Sequence, residues 1–325
     1  MPHGLAFGPD GRLYVGEMSR IIAFDPAAPD PGATVRVVVG GLPDNRLHED
    51  RHPLSQFIFD QDGSLIVSVG APSDQCADQP ASPAPARCLE SEGAEPAAGL
   101  RRYAYLGDGR FSADFTVLAQ GLRNSLALVR HPSGTLLQAE NSYDFDDAAE
   151  PYEEINRIEP GRHYGWPYCF DMDQPTPAWA GRGAMSCRGP EYTRPAALIA
   201  PHAAPVAMLY YDGAMFPALS GRLVMSWHGY RSTGARLVAF DVDANGVPVT
   251  RTGARYPSYT PRGVRWLAFR RGPAAQPAVL TPGWREAEGL RPTGAPVGLA
   301  VAADGSIWVA DDRNGTILRL SIDRP

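Results

Sequence analysis

The chain has 325 residues, 44% hydrophobic and 20% charged, with a formal net charge of −6. That is material for one large core or two smaller ones. The mild acidity argues against a nucleic-acid partner, and no apolar run approaches the roughly 18–20 residues that span a bilayer. With 34 Gly and 32 Pro, turns are many and long helices few. Every basic residue is arginine, so Schiff-base chemistry, which needs a lysine amine, is excluded.

The chain opens directly in a strand pattern, "PHGLAFGPDGRLYVGE" (2–17), so a trimmed exported precursor is the expectation. The same pattern returns at 54–70, 124–141 and 296–312: an apolar strand, Asp-Gly or Ser-Gly, then an alternating strand. A tight hairpin demands positive φ at its turn, which is why glycine follows Asp or Ser there. Weaker copies at 206–228 and 265–280 bring the count to six, a mean spacing near the ~40–50 residues of known propeller blades. The sequence therefore predicts an all-β, six-bladed β-propeller, one domain over 1–325, with four-stranded blades around a channel. Such a fold hosts enzymes and binding modules alike. Loop insertions are expected at about 71–100 and 142–205, where sites are commonly built.

Four cysteines fall as two local pairs, Cys76 with Cys88 and Cys169 with Cys187. None forms C-x-x-C, and the pairs suit two disulfides closing short loops in an oxidising compartment; four buried thiols are the alternative. Between them lies "ENSYDFDDAAEPYEE" (140–154), with seven carboxylates and no basic residue. A hard cation such as Ca²⁺ would gather oxygens in this way, whereas most charge runs are simply solvated. The solvated reading is preferred for Asp144, Asp146, Asp147 and Glu150, and a structural role for Glu154.

Several blocks taken together carry a resemblance: "GLRNSLAL" (121–128), "EEINRIEPGRHYGWPYC" (153–169), "PHAAPVAMLYY" (201–211), "WHGYRSTGARLV" (227–238) and "GAPVGLAVAADGSIWVADD" (294–312). In this order and spacing they resemble the glucose/sorbosone dehydrogenase family of quinoproteins, most of all its L-sorbosone dehydrogenase-like branch, over nearly the whole chain. The resemblance implies a six-bladed propeller that binds pyrroloquinoline quinone (PQQ) and Ca²⁺, oxidises a sugar or sugar aldehyde, and passes electrons to an external acceptor. The paired cysteines, read as disulfides, imply a periplasmic or secreted location.

Residue by residue, the resemblance makes His52 the catalytic base, a role that suits an imidazole titrating near neutrality. Arg123 and Asn124 become cofactor contacts, since guanidinium pairs with carboxylate through two parallel hydrogen bonds. Backbone carbonyls of Ser142 and Tyr143 would hold the cofactor's Ca²⁺; Glu154 and the carbonyl of Tyr164 would hold a second, structural Ca²⁺. Arg236 stands where the family has a cofactor-contacting lysine. Ala295 stands where relatives have a cofactor-contacting arginine, so Arg291 or Arg262 would have to substitute. His202 and His228 either line the channel or are hydrogen-bonded structural histidines, and Trp166 and Tyr168 are expected to pack under the Cys169–Cys187 loop. Two other readings stand beside the dehydrogenase: an inactive propeller that binds a ligand or protein, and a metal-dependent lactonase. The lactonase would need carboxylates spread over several blades, which the single acidic run does not provide.

Overall fold

The structure is a computed structural model describing residues 3–44, 52–77, 87–260, 262–281 and 294–322. Its first sheet is an antiparallel meander of β1 (Leu5–Phe7), β2 (Leu13–Gly16), β3 (Ile21–Phe24) and β4 (Arg36–Val39). The second contains β5 (Leu54–Phe59), β6 (Leu65–Val69) and β7 (Gly99–Tyr103). After the small ribbon β8 (Tyr105–Gly107) and β9 (Arg110–Phe111), β10 (Thr116–Gln120) pairs with β7. The third is β11 (Ala127–Arg130), β12 (Leu136–Glu140) and β13 (Glu153–Arg157). The chain then leaves it: β14 (Arg162–His163) adds in parallel to β10, and β15 (Cys169–Phe170) pairs with β16 (Gln174–Pro175). It returns as β17 (Ala197–Ile199), the outer strand beside β13.

The fourth sheet is β18 (Pro205–Tyr210), β19 (Leu223–Trp227) and β20 (Arg236–Phe240). A two-stranded ribbon, β21 (Arg255–Thr260) with β22 (Gly263–Ala268), intervenes before β23 (Ala278–Val279) joins β20. The last sheet is β24 (Pro296–Val301), β25 (Ile307–Asp311) and β26 (Thr316–Leu320). The described residues thus form an all-β propeller fold with five blades rather than six. The α-helical content among them is a single turn, Leu89–Glu92.

The four regular hairpins are where the repeat put them, and their glycines take the positive φ the turn requires: Gly11 (77°), Gly63 (83°), Gly134 (93°) and Gly305 (84°). The copy at 265–280 is not a blade hairpin. Its first strand, within β22, pairs backward onto β21 through a Thr260–Gly263 turn, while its second, β23, closes the fourth blade. β22 is almost wholly exposed, whereas β6, β12, β19 and β20 are buried at every residue. An apolar-polar alternation marks a strand, not its partner, so a ribbon strand and a closing strand together mimic one hairpin.

Two compact units emerge: Met1–Leu128 with Ile158–Arg194, and Val129–Arg157 with Pro195–Pro325. The first unit's core gathers Tyr14, Ile21, Phe57, Leu65, Val67 and Tyr103 from the first two sheets. The second packs Tyr211, Val224, Leu237, Ile307 and Val309, joining the fourth and fifth sheets. Rings of Tyr14 and Phe59 meet edge to face at 4.9 Å, the geometry their quadrupoles favour.

Candidate active site

In the first unit, just after β6, two predicted residues meet the backbone of Ala71. His52 is half-buried, and its Nδ1 lies 2.7 Å from the carbonyl of Ala71. A carbonyl only accepts, so Nδ1 carries the proton and Nε2 is the nitrogen able to take one up. The N–H of Ala71 donates to the carbonyl of Arg123 at 2.7 Å. Gly70 permits the approach: a Cβ there would sit 2.4 Å from both the Cβ and the carbonyl oxygen of His52.

Arg123, in the loop between β10 and β11, is 2% exposed. Its Nη2 and Nε lie 2.7 and 2.9 Å from Oδ1 of Asp74. Asp74 in turn accepts at its carbonyl from Trp166 Nε1 at 2.9 Å. Asn124 is buried beside it at 7% exposure. Asp74 was not singled out in the sequence; it lies in the 71–100 insertion, and nothing local marks a partner 49 residues away.

The same insertion is tied to the 164–180 segment. Cys76–Cys88 and Cys169–Cys187 are both disulfides. Tyr168 lies between them: its hydroxyl donates to Glu92 Oε1 at 2.6 Å and accepts from the N–H of Cys88 at 2.7 Å. Trp179 meets the Tyr168 ring edge to face and donates Nε1–H to the Gln75 carbonyl at 2.9 Å. Burial and the adjoining Glu92 carboxylate raise the Tyr168 phenol well above its ordinary value, so it remains a donor. Tyr164 is buried, its hydroxyl accepting from the N–H of Glu159 at 2.8 Å.

In the second unit the acidic run divides by function. Asp144, Asp146 and Asp147 are exposed, and what the protein grips is the loop's backbone. Arg231 donates to the Phe145 carbonyl at 2.7 Å, and His202 Nε2 sits 2.8 and 3.0 Å from the carbonyls of Asp147 and Glu150. That nitrogen therefore carries a proton, and the nearby Arg231 guanidinium is a second donor. Burial first, then the Arg231 charge, push the His202 imidazole below its ordinary value. Glu153, one of the seven carboxylates but given no role of its own from the sequence, fastens the loop: it accepts from the N–H of Ser142 (2.6 Å) and of Ala204 (3.0 Å). Ser142 and Tyr143 are buried, and the Tyr143 ring stacks on Phe145.

Glu154 lies directly across from Glu140 in the β12–β13 pairing, and Asn156 across from Gln138; all four are buried. Gln138 donates to Glu140 at 2.7 Å, and Asn156 donates to Gln138 at 3.0 Å. Asn156 Oδ1 is left buried without a hydrogen bond. Glu140, Glu154 and the orphaned Asn156 amide oxygen are hard-oxygen groups of the kind Ca²⁺ takes, though only part of the six to eight oxygens it needs. No three acidic, histidine or cysteine side chains among the described residues form a metal cluster, so amide or backbone oxygens would have to complete the shell.

The other predicted residues have definite partners. Arg236 is buried, donates to the carbonyl of Thr233 at 2.9 Å, and stacks over the Tyr259 ring. His228 Nε2 faces the Asp312 carboxylate at 3.1 Å. Ala295 is fully buried, with its N–H on Asp311 Oδ1 at 3.0 Å. Arg262 lies beside the exposed turn of the β21–β22 ribbon, and Arg291 lies outside the described residues.

A family model described as Glucose / Sorbosone dehydrogenase matches residues 32–252, and the chain belongs to that family. It is accordingly a PQQ-dependent oxidoreductase. The calcium structure of Trichoderma reesei Carbohydrate-Active Enzymes Family AA12 is 19% identical, with 98% of this chain and 80% of that one covered at a TM-score of 0.66. The holo form of the pyranose dehydrogenase PQQ domain from Coprinopsis cinerea is 19% identical, covering 98% and 81% at 0.64. The apo form of the soluble aldose sugar dehydrogenase from Escherichia coli is 14% identical, covering 97% and 75% at 0.58. At these identities the likeness is one of fold. No curated protein matches the chain.

Proposed function

We propose that the protein is a sugar or sugar-aldehyde dehydrogenase of the aldose or L-sorbosone type. When bound, PQQ with Ca²⁺ supplies a polarised two-electron acceptor. His52 takes the sugar hydroxyl proton at Nε2, because its Nδ1–H is committed to the Ala71 carbonyl. That hydrogen bond carries the reading: it fixes the tautomer and orients the ring, as a general base requires. Arg123 and Asn124 offer buried donors to cofactor carboxylates. Arg236 is a second cation assigned to the cofactor, and the Asp74 carboxylate fixes the direction of the Arg123 fork. Glu154 belongs to the oxygen set for a structural Ca²⁺, and the carbonyls of Ser142 and Tyr143 are the ligands assigned to the ion beside PQQ.

Electrons leave to an external acceptor. Two disulfides suit an oxidising compartment, periplasmic or extracellular; no helix among the described residues is long and apolar enough to cross a membrane.

Titrating metal-stripped protein with PQQ, with and without Ca²⁺, and following absorbance gives saturable, Ca²⁺-dependent binding on this reading. His52→Ala retains that binding and lowers sugar-driven dye reduction by about 10²–10⁴-fold, the usual worth of a general base. Undiminished turnover in His52→Ala, or no saturable PQQ binding in the unaltered protein, would sink the proposal. Loss of binding alone would point instead to a propeller that recognises another ligand.

A further inference from the structure

The second unit holds a cavity of about 500 Å³ between residues 250–254 and 269–274, none of which the dehydrogenase reading uses. Its walls are fixed by backbone hydrogen bonds. The N–H of Arg251 donates to the Ala274 carbonyl at 3.2 Å, and the N–H of Leu198 to the Pro273 carbonyl at 2.9 Å. The N–H of Arg270 donates to the Tyr152 hydroxyl at 2.9 Å. Behind it the Phe269 ring is wedged against Tyr152 (5.1 Å) and Tyr256 (4.9 Å). A ligand entering here would meet a pre-organised wall and lose little to reorganisation.

Three arginines, Arg251, Arg270 and Arg271, are among the residues that line this space, and no acidic residue is. Arg271 is paired with Glu150 at 3.1 Å. Arg251 and Arg270 have no ion-pair partner among the described residues, and Thr250 and Thr252 also belong to the lining. The surrounding sequence is equally one-sided: residues 244–285 contain seven arginines and no acid, in a chain whose net charge is −6. Arginines gathered around one opening raise the local potential where an anion would sit. Planar forks match the paired oxygens of carboxylate and phosphate alike.

We propose that this cavity binds a small oxyanion, either a phosphomonoester or a sugar carboxylate. Recognition rests on Arg251 and Arg270, with the Thr250 and Thr252 hydroxyls as secondary donors. The site stands apart from His52 and Arg123 in its residues and does not depend on the dehydrogenase reading.

Isothermal titration of the full chain with inorganic phosphate and, separately, with gluconate tests this. Saturable binding is expected for at least one, weakening as chloride is raised because exposed charges are screened. The double variant Arg251→Ala/Arg270→Ala, its fold verified by circular dichroism, binds about tenfold or more weakly, as loss of charge-assisted hydrogen bonds requires. Arg265→Ala, on the ribbon outside the cavity, binds as the unaltered protein does. Saturation by phosphate alone identifies the phosphomonoester, and by gluconate alone the carboxylate. A Kd weaker than about 10 mM for both ligands, equal binding by the double variant, or an equal loss in Arg265→Ala would overturn the proposal.

Discussion

His52 owes its position to a residue with no side chain. Gly70 ends the second hairpin with ordinary φ, so its role is space rather than backbone freedom: a methyl group there would overlap His52 at 2.4 Å. Gly70→Ala is therefore expected to displace the imidazole from the Ala71 carbonyl, at about 1–3 kcal/mol of stability for the overpacking. Chemical denaturation would read the second effect, and sugar-dependent turnover the first. A variant that loses stability but keeps full turnover would separate His52 from the chemistry. His52 was singled out through its sequence block, but Gly70 was not, since it is an unremarkable glycine until its neighbour in space is known. The same holds for Asp74 and Glu153. Each finds its partner through the fold, the first 49 residues along the chain and the second across a loop and a strand.

Among the elements, the repeated hairpins were the most readable because their turns impose a chemical requirement that the sequence shows directly. The ribbon was misread because its strands satisfy the same alternation without a blade to join. The loops were least readable, yet they carry a polar core of their own. Glu92 is the centre of one: Tyr168 donates to it at 2.6 Å, Arg87 lies at 3.1 Å and the His163 ring at 3.6 Å. Burial alone would raise this carboxyl, but the adjoining His163, Tyr168 and Arg87 outweigh it and hold Glu92 below its ordinary 4.5. A depressed carboxylate stabilises the fold fully above its unfolded value, and that contribution disappears as pH falls through the folded value. Glu92→Gln should thus melt below the unaltered protein near neutrality, with the gap in Tm narrowing as pH falls through the carboxyl's ordinary 4.5 and below. A gap that stays constant with pH would remove Glu92 from the acid response.

Across the whole molecule, the class of fold and the family were written in the chain, while the number of blades was not. Six look-alike segments yield five blades among the described residues, because counting strands along a sequence ignores which neighbour each one chooses. Charge is also sorted along the chain, with acids crowded at 140–154 and arginines at 251–271. That sorting explains how a mildly acidic protein presents a strongly basic cavity.

Asp74 stands two residues before Cys76, so the carboxylate that clamps Arg123 is delivered by a loop whose far end is stapled at Cys88. The choice of production host therefore becomes a biochemical variable. Material made in a reducing cytosol should emerge with the staple open and Arg123 less firmly aimed, taking up PQQ weakly although most of its sheets are intact. The same sequence routed through an oxidising compartment should take up PQQ fully. Reconstituting both preparations side by side, with thiol counts as the control, would reveal whether a poorly active batch reflects a defective enzyme or merely an unstapled one.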